Sequence, residues 1–267
     1  MDEASPEELK RKWLFAAVGD KGNFFEFVIE RLIEQFCGTG RCVIDAGANC
    51  GAHTATMLRT VGPTGVVFAF EPNPLLAAKL EGLMQHYPNL RVSRAALSDR
   101  SGEGQFLIAT DPGYGSLHHR PQFDLTISET IPVRLARLDA FPELRTTRAV
   151  DFIQADVEGA EIALSHGASE TRRLAKPLIV MEMDWAFSLP TDQAADTNLF
   201  GFLGRLGYGV HGFFGQDVSK RDLDNWNIIL AHRDDPDLLA VRRACLSAGH
   251  EFFRDYRGWN PYRKFDS

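Results

Sequence analysis

The chain has 267 residues, 44% hydrophobic and 24% charged, the balance of a globular protein that can bury a sizeable core, so disorder is excluded. Its formal charge of −7 argues against an extended nucleic-acid groove, which needs clustered Lys and Arg to displace counterions. The four cysteines, Cys37, Cys42, Cys50 and Cys245, form no C-x-x-C pair and no zinc spacing with histidine, so neither a metal knuckle nor a disulfide framework is indicated.

The acidic start, Met1 to Glu8, lacks the basic-then-apolar order of a signal peptide, and no apolar run reaches membrane-spanning length. With free thiols, this reads as a cytoplasmic protein. Phe25, Ile29, Leu32 and Phe36 fall at helical spacing, and Gly38 and Gly40 end that helix. Cys42 to Ile44 read as a buried strand, followed by a small-residue turn and a helix over Ala52 to Val61. Val66 to Phe70 make the second strand. Asn73 and Pro74 then suit an N-cap and first helical position, with Leu76, Leu80, Leu83 and Tyr87 at helical spacing toward Pro88.

Arg91 to Leu97 are expected as a third strand, and Gly104 to Ala109 and Ile131 to Leu138 as extra strands around a loop that holds Gly113, Gly115 and Ser116. Phe152 to Ala155 and Leu178 to Met181 are the next core strands, ending at Asp156 and Glu182. Leu199, Phe202, Leu203 and Leu206 stripe a helix stopped by Gly207, and Tyr208 to Phe213 with Trp226 to His232 form an antiparallel pair. From about Asp234 the chain is more polar, and its last portion is aromatic and basic without clear periodicity. The fold expected is α/β, a doubly wound, mostly parallel sheet closed by a C-terminal antiparallel pair. It divides into an N-terminal helical extension (1–41), the main domain (42–233) and a C-terminal extension packed on it (234–267).

Ligands of such sheets bind outside the carboxyl ends of the strands, and Asp45, Glu71, Asp156 and Glu182 all fall there. Gly47-Ala48-Asn49-Cys50-Gly51 lets the backbone approach a ligand closely before the helix start, and Glu71, twenty positions beyond Gly51, can accept from both ribose hydroxyls. The turn lacks the middle glycine of a pyrophosphate fingerprint, which argues against a nicotinamide oxidoreductase. Asp45 just before it disfavours phosphate and favours an ammonium group. S-adenosylmethionine, a nucleoside with an amino-acid tail and no phosphate, fits these residues.

Asp45 to Gly51, Phe70-Glu71-Pro72, Ala95-Ala96-Leu97-Ser98-Asp99, Gly115-Ser116-Leu117 and Asp156-Val157-Glu158-Gly159-Ala160-Glu161 together resemble the FkbM-type methyltransferases, over about Cys42 to Phe213. The resemblance implies a Rossmann-like, class I methyltransferase architecture and S-adenosylmethionine-dependent O-methylation of hydroxyls on sugars, glycans or natural products. It gives Asp45, Gly47, Asn49 and Gly51 to the methionine portion, Glu71 to the ribose and Leu97 to Asp99 to the border of adenine, with Ala48, Thr54, Pro72 and Ser116 grouped as cofactor-binding. It departs from the family at Ser116, a single serine after Gly115 instead of a pair, and at Gln154, where the family often has Lys.

Asp156 and Glu158 are the expected bases, since a carboxylate that takes the proton of an alcohol makes it a better nucleophile. Glu161 is read as charge complementarity at a helix start. Magnesium held by Asp156, Glu158 and Glu182 is the competing use of these acids, and no residue is assigned to a metal. His118 and His119 are alternative bases, and His53 reads as a capping or solvated histidine. Trp185, Phe187, Trp259 and Tyr262 offer stacking faces, and Arg172, Arg173 and Lys176 read as a solvated helix end. The expected partner is a small-molecule or glycan acceptor, with homo-oligomerisation left open. The rival readings are a methyltransferase acting on RNA or protein, and a cofactor-binding regulatory or scaffold module without chemistry.

Overall fold

The computed structural model describes residues 5, 21–110, 114–118, 126–141, 143–144, 149–183, 200–214, 216–219, 227–234 and 238–255. Its centre is the apolar run Cys42–Ala46 (β1), buried at every position because a parallel strand covered on both faces has no solvent side. The chain then alternates: α2 Ala52–Val61, β2 Val66–Phe70, α3 Pro74–Leu83 and β3 Leu90–Ser93, preceded by α1 Lys21–Phe36. After β4 Ala95–Leu97, β5 Gly102–Ala109, β6 Ile127–Ala136 and a short 3-10 helix at Leu138–Ala140, it returns through β7 Val150–Ala155, α4 Glu161–Gly167, α5 Ser169–Ala175 and β8 Leu178–Glu182. Residues 200–205 are helical, and β9 Tyr208–Gly212, β10 Asn227–His232 and α6 Leu238–Asp255 complete the described chain.

Seven strands form one sheet in the order β3-β2-β1-β7-β8-β10-β9, parallel except that β10 runs antiparallel to β8 and β9. The order reverses between β1 and β7, and the gap above a reversal is where such sheets bind ligands. One face packs on α1, α2 and α6 around Phe24, Phe27, Leu32, Val43, Phe152 and Val180. The other packs around Ile44, Phe68, Phe70, Ile153 and Met181. No helix among the described residues is long and apolar enough to cross a membrane.

Three expectations change. Arg91 to Leu97 is two strands that belong to different sheets, and Arg94 between them is exposed and pairs with Glu81. β4 then joins β6 and β5 in a separate three-stranded sheet, with β5 and β6 antiparallel. α3 stops at Leu83, so Tyr87 is 40% exposed instead of continuing the buried stripe. The polar stretch after Asp234 contains α6, whose Val241, Ala244, Cys245, Ala248 and Phe252 are buried at helical spacing against α1. Leu199, Trp226 and the aromatic tail lie outside the described residues, as do Gly113, His119, Trp185, Phe187, Trp259 and Tyr262.

Candidate active site

The loop after β1 is held by backbone bonds. Gly47 and Ala48 N–H groups both donate to the Phe70 carbonyl, at 2.9 and 3.0 Å, which seats the turn over the end of β2. Gly47 (φ 80°) and Gly51 (φ 93°) adopt left-handed conformations, as does Asn49 (φ 51°). A Cβ on Gly47 would lie 1.7 Å from the Asp156 carbonyl oxygen, so only glycine lets the tips of β1 and β7 meet. Gly51 is the N-cap of α2 and supplies no side-chain cap.

Glu71 follows β2 and is 5% exposed. Its two carboxylate oxygens accept from the Asn49 and Asn73 N–H groups, each at 2.8 Å, so the acid is oriented by the glycine loop on one side and the start of α3 on the other. Burial pushes its carboxyl up to about 7, against the lowering effect of those two bonds. Asp45 is 1% exposed and takes a hydrogen bond from the Thr54 hydroxyl on one oxygen, while its other oxygen, Oδ1, has no partner. Burial raises Asp45 above the usual carboxylate range, although the charge of His53 and the Thr54 bonds pull the other way.

Asp156, Val157, Glu158 and Ala160 line the same pocket from the far side. Glu158 (φ 50°) and Gly159 (φ 99°) turn the backbone, and the Glu158 carbonyl accepts from the Ser116 hydroxyl at 2.6 Å. Ser116 also pairs with Leu107 through two backbone bonds, so the 114–118 segment ties β5 to the Asp156 turn. Enclosure by the pocket walls, followed by the charges of Glu182 and Glu158, holds the Asp156 carboxyl well above its ordinary range. Glu161 is 1% exposed and accepts from the Gly159 N–H at 2.8 Å, which steadies the turn before α4.

The pocket encloses about 550 Å³ of free space, part of it open to solvent. Of the residues expected from the sequence, Gly47, Asn49, Glu71, Pro72, Leu97, Asp156 and Glu158 line it. Asp45 and Thr54 lie bonded together beneath the loop, Ala48 is 4% exposed, and Gly51 packs toward Leu80. Ser116 is buried beside the wall residues Gly115 and Leu117. Asp99 is exposed and sits by the Ser98 hydroxyl and Arg100. The apolar wall of Phe70, Leu76, Ala95, Ala96, Phe106 and Leu117 goes beyond the sequence reading. The alternation of β5 signals Phe106 as inward-facing, but nothing local says that the small sheet leans over the large one.

Two side chains differ from expectation. His53 is neither a cap nor solvated: its Nε2 lies 3.1 Å from Glu26 and its Nδ1 3.3 Å from Glu30, both on α1. Burial alone would lower its pKa, yet the two carboxylates hold it well above the ordinary value. Arg172 is no solvated helix end but fully buried, bonded to the Ser165 carbonyl and lying over the rings of Phe202 and Tyr208 at 5.2 and 5.9 Å. His118 is largely exposed, and partial desolvation of its ring, followed by the charge of Arg100, lowers its pKa. Among the described residues no group of three or more His, Cys, Asp or Glu is placed to hold a metal ion.

Several known proteins are similar to this chain. The 2-O-methyltransferase NoeI of Sinorhizobium fredii is 28% identical over 141 residues, covering 48% of this chain, and the match spans 58% of NoeI. The crystal structure of methyltransferase FkbM from Methylobacillus flagellatus KT aligns with TM-score 0.46 and 18% identity over 72% of this chain and 43% of that one. Fibrillarin from Aeropyrum pernix, solved in complex with S-adenosyl-L-methionine, aligns with TM-score 0.41 and 16% identity over 73% of this chain and 67% of that one. The family profile of the methyltransferase FkbM domain matches residues 45–210, which is more than half of the sequence. The chain belongs to the FkbM methyltransferase family.

Proposed function

We propose that this protein is an S-adenosylmethionine-dependent O-methyltransferase acting on a hydroxyl of a carbohydrate or similar small molecule. One observation carries the reading: Glu71, oriented from both sides by backbone N–H groups, lines the same pocket as Asp156 and Glu158. A nucleoside acceptor and a proton acceptor therefore face one space. The residues fit the cofactor: the buried Asp45 Oδ1 has no hydrogen-bond partner and calls for a donor. The matched 2-O-methyltransferase NoeI supports transfer to oxygen.

When bound, S-adenosylmethionine supplies an electrophilic methyl group on a sulfonium. Glu71 would accept hydrogen bonds from the ribose hydroxyls, and Leu76, Ala96, Leu97 and Phe106 would offer the base an apolar wall. Asp156 would take the proton of the acceptor hydroxyl, whose oxygen the methyl group supplied by the bound cofactor would alkylate. Glu158 orients the acceptor from the turn that Ser116 fixes. Calorimetric titration with S-adenosylmethionine tests the cofactor reading, and absence of binding at high micromolar concentration rejects it. Incubation of cell extract fractions with methyl-labelled cofactor, followed by mass analysis of the product, tests the acceptor reading: label on nitrogen, on RNA or on protein rejects it.

A further inference from the structure

Two parts of the pocket wall meet behind a residue that does not face the pocket. Gly115 and Leu117 line it beside Phe106, and Asp156 and Glu158 line it from the turn after β7. Ser116 joins these two parts. It is 4% exposed and lies behind the wall to which both its neighbours belong. A serine hydroxyl has one proton to give, and that of Ser116 goes to the Glu158 carbonyl at 2.6 Å, while its oxygen accepts the His118 N–H at 3.1 Å. No hydroxyl proton is left for a cofactor or an acceptor, so Ser116 supports the site instead of touching what binds there.

The bond lands where the backbone most needs holding. Glu158 has φ 50°, a left-handed conformation that a Cβ disfavours, and Gly159 follows at φ 99°. Such conformations persist where the surroundings over-determine them. The peptide group between these two residues is gripped at both ends, its carbonyl by Ser116 and its N–H by Glu161 at 2.8 Å. Ser116 is anchored in turn by two backbone bonds with Leu107 on β5, at 2.8 and 2.9 Å. A Cβ on Gly115 would lie 2.4 Å from Cζ of Phe106, so this segment packs directly on a ring that faces the pocket. A nucleoside base set against Phe106 and Leu117 therefore bears on the same segment that holds the turn.

Resting on the cofactor reading above, we propose that Ser116 is the positioning residue through which the nucleoside wall holds the Asp156–Glu158 turn, so that a bound nucleoside steadies the carboxylates facing the acceptor. The acceptor then meets a set turn only after the wall is filled. The test follows amide hydrogen exchange over residues 156–161 by mass spectrometry, on the full chain with and without saturating S-adenosylhomocysteine, the demethylated cofactor, together with its calorimetric affinity. In the unmodified protein the bound ligand is expected to slow exchange in this stretch by about tenfold or more. Ser116→Ala should bind S-adenosylhomocysteine within about fivefold of the unmodified protein yet lose that protection, and Ser116→Thr, which keeps the hydroxyl, should regain it. An affinity loss beyond about fivefold in folded Ser116→Ala marks a direct cofactor contact and overturns the proposal. Protection that survives without the hydroxyl, a folded Ser116→Thr that does not regain it, or no protection in unmodified protein with ligand bound overturns it as well. If circular dichroism shows Ser116→Ala unfolded, Ser116→Cys, close in size but a weak donor, takes its place. Unmodified protein that does not bind S-adenosylhomocysteine rejects the cofactor reading itself.

Discussion

Pocket walls and the neighbouring carboxylates Glu182 and Glu158 hold the Asp156 pKa well above the ordinary Asp range. Asp156→Asn is expected to lower kcat by about 10²- to 10⁴-fold while changing cofactor affinity little, and an unchanged kcat removes Asp156 as the base. Because the base must be ionised, kcat should fall as pH drops through the raised Asp156 pKa, so the acid limb lies at higher pH than an ordinary Asp would give. A pH profile flat down to about 4, the ordinary Asp range, contradicts this. Glu71→Ala should act oppositely, weakening cofactor binding more than kcat at saturation. Both acids were legible as strand-end carboxylates. His53 and Arg172 were not, because their burial depends on Glu26 and Glu30 for one and on Phe202 and Tyr208 for the other, partners distant in sequence.

Elements, more than single residues, set the distances across the pocket. The close approach of β1 and β7 passes through Gly47, so Gly47→Ala meets both a steric overlap with Asp156 and an unfavourable φ of +80°. It is expected to destabilise the fold by more than about 2 kcal/mol and to abolish cofactor binding, measured by urea unfolding and calorimetry. Arg172 supports α5 from inside, but its Nε and Nη1 have no partner, and burial lowers its pKa to about 10. Arg172→Met, similar in length and apolar, should therefore keep or raise the melting temperature, whereas Arg172→Ala, which leaves a cavity, should lower it. A large loss with Met would show that the charge itself is needed. The periodicity of α1 and the N-cap of α3 were readable locally. The split between β3 and β4 was not, since nothing local says that the two strands belong to different sheets. α6 kept its helical spacing, but Ala and Cys at buried positions gave a faint apolar signal.

For the whole molecule, the buried site charges fix the sign of the pH dependence of stability. Burial raises Glu71 to about 7, so folding favours its protonated form, and its contribution is present below its unfolded pKa and lost as pH rises through about 7. Raised Asp45, Asp156 and His53 act in the same direction. The ligand-free protein should therefore melt at a higher temperature near pH 5 than near pH 8, with Glu71 contributing about 3 kcal/mol to the difference. Glu71→Gln should flatten the profile, and a melting temperature that climbs over this interval would count against the assignment. By itself the sequence determined the strand–helix alternation, the acids at the strand ends and the glycine turn, because hydrophobic period and backbone freedom are local properties. Tertiary structure alone decided that the small sheet walls the pocket with Phe106 and Leu117, and that α1 brings Glu26 to His53. Those contacts join residues far apart in sequence, and burial, which shifts charge and orphans polar atoms, exists only once the layers have packed.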